Sequence, residues 1–401
     1  MGWNDHIDLD PTLFWDIEDK FVCIECLYDD GLKVFVSERQ PPAGEVCSYC
    51  SGRSRSIPVS VLQGHIRNYF PYGRAEEELP LDPDPGETYF DQTWDPWDAL
   101  DNFLGMKVSD ELFEDFRENL VDQLYCQANW ASLPLDAQWK GQWKEFQQAV
   151  RHEAGVFSLS IEVPDDERNH DEPHPAFFNN AIVAALLRAD AVSVLESGTK
   201  IQRVQEGHVV RTFDRLTCPP AEKAGANRFS PKGVSMFYGA SNLGTACLEI
   251  KAVPGAQITQ GVFQTQRDLA LIDFTATKFP RGNFDPSWMG NYHIAEFLRG
   301  FLADIRKDVK GEGNDAEYLP TQALCDFFVK KGASELLAVN MNDPQPSKVL
   351  KQIAATGRLD GIRFRSSKVG GTDGDCFVLF CDHEESRTLL ELVDYDHLIF
   401  K

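Results

Sequence analysis

The chain of 401 residues sets 39 Lys and Arg against 63 Asp and Glu, a formal net charge of −24 with a pI near 4.7. That excess of acid argues against broad binding of nucleic acid or anionic lipid, since both need a cationic surface. Hydrophobic residues make up 42% of the chain, ample for buried cores, and the length predicts about two to four domains.

No stretch approaches the ~18–20 apolar residues of a membrane span. The start, Met1-Gly2-Trp3-Asn4-Asp5, lacks the basic and apolar regions of a signal peptide, so a cytoplasmic, reducing setting is expected. In that setting clustered cysteines point to metal or redox chemistry rather than to disulfides. Four of the ten cysteines cluster as Cys23-x2-Cys26 and Cys47-x2-Cys50, and six are scattered singly. Between the pairs, Leu32 to Val36 alternates briefly and predicts a short strand. Pro41-Pro42-Ala43-Gly44 predicts a turn. Two knuckles on short strands describe a zinc ribbon over 1–55, holding one structural zinc on Cys23, Cys26, Cys47 and Cys50. All-Cys ligation leaves no open position for catalysis.

Residues 57–70 carry a helical apolar pattern. Residues 76–118 hold 15 Asp and Glu against Lys107 and Arg117, with Pro80, Pro83 and Pro85 marking a linker. Asp95-Pro96-Trp97 predicts a helix start. Leu112, Phe113, Phe116, Leu120 and Leu124 share one face of a predicted helix over 109–130, and 136–149 predicts another. Residues 56–190 are therefore read as a mainly helical domain, whose acidity favours a protein partner over nucleic acid. Pro173 and Pro175 mark a second boundary, followed by a helix over 176–195. Beyond Gly198 the texture is α+β. Strands are predicted at 208–213, 234–238, 259–263, 269–274, 335–340 and 376–381, and helices at 241–252, 291–308 and 320–331. The glycine-rich run at 370–374 opens a strand rather than a helix, so it is no phosphate cradle.

The last segment, 191–401, also carries a polar constellation. Arg203 lies in a strand-like run, Asn227-Arg228-Phe229-Ser230-Pro231 forms a turn with a second arginine, and Phe237-Tyr238 ends a strand. Thr245-Ala246-Cys247-Leu248-Glu249 then places a carboxylate among small and apolar residues, where it is expected to face inward. Pro320-Thr321-Gln322-Ala323 and Leu359-Asp360-Gly361-Ile362-Arg363-Phe364-Arg365-Ser366-Ser367 follow.

This series resembles the RES domain, a toxin family, over about residues 195–385. The helical region resembles, more weakly, the HEPN-type domains fused ahead of RES domains. It lacks an Arg-x4–6-His motif, so ribonuclease activity is not assigned. The resemblance implies a fold related to ADP-ribosyltransferases and cleavage of NAD+ at the nicotinamide–ribose bond by a toxin or defence effector. Glu249 would stabilise an oxocarbenium-like ribose, and Arg203 and Arg228 would hold the pyrophosphate. Tyr238 would face nicotinamide, and Ser366 would hydrogen-bond the amide or ribose, with the Thr321–Gln322 neighbourhood a competing source for the serine's role and Gln322 a further substrate contact. Lys232, Arg363 and Arg365 would add positive field. The expected partners are NAD+, an inhibitory protein or antitoxin and further copies of the chain, with no membrane. The alternatives are an ADP-ribosyltransferase acting on a macromolecule or small molecule, and an inactive adaptor.

Overall fold

The computed structural model describes residues 13–39, 45–52, 54–80, 91–128, 130, 135–152, 175–306, 315–340, 345–366 and 374–400. The turn expected at 41–44, most of the proline linker, Pro173, Ser367 and the glycines at 370 and 371 lie outside them. Contacts gather the chain into two compact units, Met1–Gln138 with Phe279–Glu296, and Trp139–Lys278 with Phe297–Lys401.

In the first unit, β1 (Phe21–Cys23) leads through a 3-10 turn to α1 (Asp30–Ser37). There follow β2 (Ser56–Pro58), α2 (Val59–Arg67), β3 (Tyr72–Arg74), α3 (Ala75–Glu78), α4 (Pro96–Leu104), α5 (Asp110–Glu118) and β4 (Tyr125–Gln127). β1 pairs antiparallel with β2, and β3 with β4. One core holds Leu32, Phe35, Leu62, Leu100, Leu112 and Phe116 together with Cys23, Cys26 and Cys47. Phe284, from the later segment, joins that core, and its carbonyl accepts a 2.8 Å bond from His65 Nε2.

Two expectations change here. The segment between the cysteine pairs is the helix α1, not a strand. Asp29 caps it by accepting from Leu32 N at 3.0 Å, and Leu32, Phe35 and Val36 fall at helical spacing on its buried side. The helix expected over 109–130 stops at Glu118, capped at Asn119. Leu120 and Tyr125 are still buried, but from a loop and from β4, while Leu124 is exposed.

The second unit takes most of α6 (Leu135–His152), then α7 (Pro175–Arg188), β5 (Val192–Leu195), β6 (Lys200–Glu206), α8 (Phe213–Leu216), β7 (Phe237–Ala240), α9 (Leu243–Glu249), β8 (Gln257–Thr265) and β9 (Leu269–Asp273). α10 (Tyr292–Arg306), α11 (Leu319–Phe327), α12 (Ala333–Val339), α13 (Lys348–Thr356), β10 (Gly361–Arg365), β11 (Asp375–Leu379), α14 (Ser386–Leu389) and β12 (Leu390–Ile399) complete the chain. Eight strands form one sheet in the order β12-β8-β6-β7-β11-β10-β9-β5, antiparallel except for the β9–β10 pair. Strand alternation divides its apolar residues between two cores. Ile201, Phe237, Phe263 and Phe377 belong to one; Val204, Ala240 and Ile258 belong to the other, with Ala246 and Cys247 of α9.

The α+β class is as expected, with corrections inside it. No strand forms at 208–213. Residues 335–340, expected as a strand, lie mostly in α12, which continues α11 through a π-helical turn at Phe328–Gly332. The helix expected to reach 195 ends at Arg188, and Asp190 turns the chain with a left-handed φ of 51° into β5.

Candidate active site and metal cluster

All seven residues of β6 pair with β8, but β6 meets β7 only at Gln202↔Ala240. The strands part beside that pair, and a cavity of about 340 Å³ opens there, lined by Arg203, Asn227, Arg228, Tyr238, Glu249 and Cys376 among others.

Arg203, on β6, donates from Nη1 to the Tyr238 carbonyl at 2.7 Å and packs 5.6 Å from the Phe237 ring centroid. Burial lowers its pKa from the ordinary guanidinium value. Its Nε is buried without a hydrogen-bond partner among the described residues. An unmade buried donor costs about 1–3 kcal/mol.

Arg228 stands on the turn closed by Asn227 N bonding Ser230 O at 2.8 Å, and it donates from Nη1 to Ile305 O at 2.8 Å. Ser230 Oγ and the Tyr238 hydroxyl share a 2.9 Å hydrogen bond, and burial pushes the Tyr238 phenol well up, so it stays protonated. Gln322 Nε2 donates to the carbonyls of Asn227 at 2.7 Å and Ser230 at 3.2 Å, and Thr321 Oγ1 donates to that of Arg228 at 2.5 Å. Neither Thr321 nor Gln322 lines the cavity; both clamp the backbone of the turn that does.

Glu249 ends α9, a helix begun by the Asn242 side chain accepting from Thr245 N at 2.8 Å. The carboxylate is exposed at the cavity wall rather than turned inward, because the inward positions of this short helix go to Thr245, Ala246 and Cys247. Its Oε1 accepts from Ser366 Oγ at 2.5 Å and from Cys376 Sγ at 3.4 Å. Arg203, Arg228, Tyr238 and Glu249 thus meet at one cavity, with Ser366 reaching it through Glu249. Arg363 and Arg365 do not join them: Arg363 Nε donates to Asp375 at 2.9 Å, and Arg365 lies 3.2 Å from the same carboxylate. Lys232 is exposed and lies outside the lining.

Cys376, Gln202 and Phe364 line the cavity without having been singled out in the sequence. Cys376 sits in a wholly buried strand, where nothing in the local pattern separates it from core. The direct pairs Gln202↔Ala240, Ala240↔Cys376 and Cys376↔Phe364 put these residues in one row across the sheet.

In the first unit the four clustered cysteines converge. Sγ–Sγ separations are 3.9 Å for Cys23–Cys26, 3.4 Å for Cys23–Cys50 and 3.7 Å for Cys26–Cys47, and all four sulfurs lie within 4.8 Å of one another. Sulfurs about 2.3 Å from a tetrahedral ion would be about 3.8 Å apart, so the set fits one metal ion. Burial, aided by the Cys50 and Cys47 sulfurs, pushes the Cys23 thiol up to about 11. Burial also acts on Cys47, but N–H donors from Tyr49, Cys50 and Cys23 outweigh it and hold that thiol near 7. A cation among them would favour the thiolate throughout.

The fold and the cavity define an α+β domain whose arginines, tyrosine and carboxylate converge on one cleft. Residues 200–400 match the RES domain family and residues 42–162 match HEPN/RES N-terminal domain 1. With half its length in the first of these matches, the chain belongs to the RES family, a family that is toxin-like and NAD-related in general. No curated protein and no solved structure matches the chain. Among the described residues no helix is long and apolar enough to cross a membrane.

Proposed function

We propose that the chain is an NAD+-degrading toxin or defence effector of the cytoplasm that breaks the nicotinamide–ribose bond. The observation that carries this reading is the convergence on one cavity of Arg203, Arg228 and Tyr238 with a Glu249 carboxylate tethered through one oxygen. Arg203 and Arg228 bind the pyrophosphate, and Tyr238 faces the nicotinamide. As the C1′–N bond breaks, its electron pair leaves with nicotinamide, which departs neutral. Positive charge builds on the ribose, and Glu249 stabilises it while Ser366 holds the carboxylate. Oxygen of water or inorganic phosphate then bonds C1′, and a water nucleophile gives its proton to solvent. Gln322 acts through the turn that presents Arg228.

The four-cysteine cluster holds a structural zinc in this reading, with a zinc ribbon over 1–55, a HEPN-like helical domain over 56–190 and the RES domain over 191–401. The acidic helical segment is a regulatory or assembly surface for an inhibitory protein or a second copy. The exposure of Glu249 favours a second reading, ADP-ribosyl transfer to a larger acceptor, because the wall it occupies is open to one. Incubation of the purified chain with NAD+, with and without phosphate, followed by product masses, tests the proposal. ADP-ribose or its phosphorylated form supports it; intact NAD+ beside folded protein ends it.

A further inference from the structure

The carboxylate of Glu249 has two donors, and one of them belongs to no role assigned so far. Ser366 Oγ and Cys376 Sγ both reach Oε1, at 2.5 Å and 3.4 Å. Among the described residues Oε2 has no donor. The two donors come from the two arms of one hairpin: β10 and β11 pair from Gly361↔Leu379 to Arg365↔Asp375, and Ser366 N bonds Gly374 O at 3.2 Å just beyond. The hairpin end is seated against the helix that bears Glu249. A Cβ on Gly374 would stand 1.8 Å from Thr245 Oγ1 and 2.7 Å from Asn242 Nδ2, the first turn and cap of α9. Only glycine lets the strand approach this closely.

We propose that Cys376 is a positioning residue: its thiol, with the Ser366 hydroxyl, fixes Oε1 of Glu249 and leaves Oε2 as the oxygen offered to the ribose. The inference rests on the NAD+-cleavage reading of Glu249. The thiol is suited to the task because it is buried, and burial together with the nearby Glu249 charge raises its pKa well above the ordinary value, so it keeps its proton to donate. Sulfur is a weak donor, and its part is therefore to select an orientation rather than to anchor the group alone. Fixing a carboxylate before charge develops lowers the barrier without tightening the ground state.

The test compares Cys376→Ala and Cys376→Ser in the full chain, with melting temperatures and circular dichroism checking the fold. Cys376→Ala should lower kcat about tenfold with KM nearly unchanged, and Cys376→Ser, which restores a donor, should recover most of the loss. Infrared difference spectra of wild type against Cys376→Ser should show an S–H band shifted by a charged acceptor, and Glu249→Gln should move it. Wild-type kcat in folded Cys376→Ala, or a kcat loss that Cys376→Ser does not recover, overturns the proposal. So does an S–H band indifferent to Glu249→Gln. A wild-type chain that leaves NAD+ intact overturns the functional reading instead, and the infrared band still decides the thiol–carboxylate bond.

Discussion

The cysteine cluster and the cavity are both knots of polar atoms set among apolar packing, yet they close in opposite ways. Cys23, Cys26, Cys47 and Cys50 turn their sulfurs on one another, and three of the four are buried in the core of the first unit. The cavity gathers its groups around empty space: Arg203, Arg228 and Tyr238 line it, and Glu249 keeps an oxygen without a donor among the described residues. A set satisfied by one ion is a structural device, and a set left unsatisfied is a binding device. The difference teaches where each should fail. Damage to the cluster removes a fold; damage to the cavity removes a rate or an affinity.

The largest effect should therefore come from the cluster. Structural zinc in small domains contributes about 10–16 kcal/mol, so Cys26→Ser, or a strong chelator, should unfold the first unit. Near-ultraviolet circular dichroism and limited proteolysis read the loss, and elemental analysis should give about one zinc per chain beforehand. Cys126→Ser, at a buried thiol outside the cluster, should leave the metal content unchanged. Fully folded, metal-free protein would break the comparison at its first term.

Next in size is Glu249→Gln, which keeps shape and hydrogen bonding but removes the charge where the ribose becomes positive. The rate of NAD+ cleavage should fall about 10²–10³-fold while KM changes little, because the ground-state ribose is neutral. Steady-state kinetics on a variant with unchanged melting temperature decide it, and full activity would sink this account of the site.

Arg203→Ala should follow, and on affinity rather than rate. It removes charge-assisted bonds to the pyrophosphate, an expected loss of about 10–100-fold in NAD+ binding by calorimetry. Arg203→Lys should rescue little, since a single ammonium cannot bond the Tyr238 carbonyl and present a fork to phosphate as well. Equal binding by Arg203→Ala would mean that this guanidinium does not hold the pyrophosphate.

The same contrast explains what could be read from the chain. Two C-x2-C pairs are local and carry their geometry in their spacing, so the cluster was legible residue by residue. Arg203, Tyr238 and Glu249 stand on separate strands and a helix, and only their order, through the likeness to the RES domain, made them a set. Cys376 stayed hidden because a buried thiol in a wholly buried strand looks the same whether it packs or donates. Leu32 to Val36 misled for the converse reason: five residues fit both a strand and a helix, and the Asp29 cap decided between them. Arg363 and Arg365 misled because a sequence shows charges but not their partners, and here Asp375 takes both.

Gln322 gives the smallest effect and the finest test of the comparison. The family likeness makes it a substrate contact, whereas its amide bonds the carbonyls of Asn227 and Ser230 and lies outside the cavity lining. As a clamp, it should act on the turn and through it on Arg228. Gln322→Ala takes one donor from each carbonyl, and each keeps the backbone N–H of the other residue, so the loss should be about 1 kcal/mol with a fall of a few degrees in melting temperature. The loosened turn should raise KM a few-fold, while kcat holds because Glu249, Ser366 and Cys376 are untouched. A kcat loss comparable to that of Glu249→Gln, with the melting temperature unchanged, would place Gln322 on the substrate. A matched fall in melting temperature and rise in KM would keep it as the brace behind the arginine, a buried polar group satisfied within the fold.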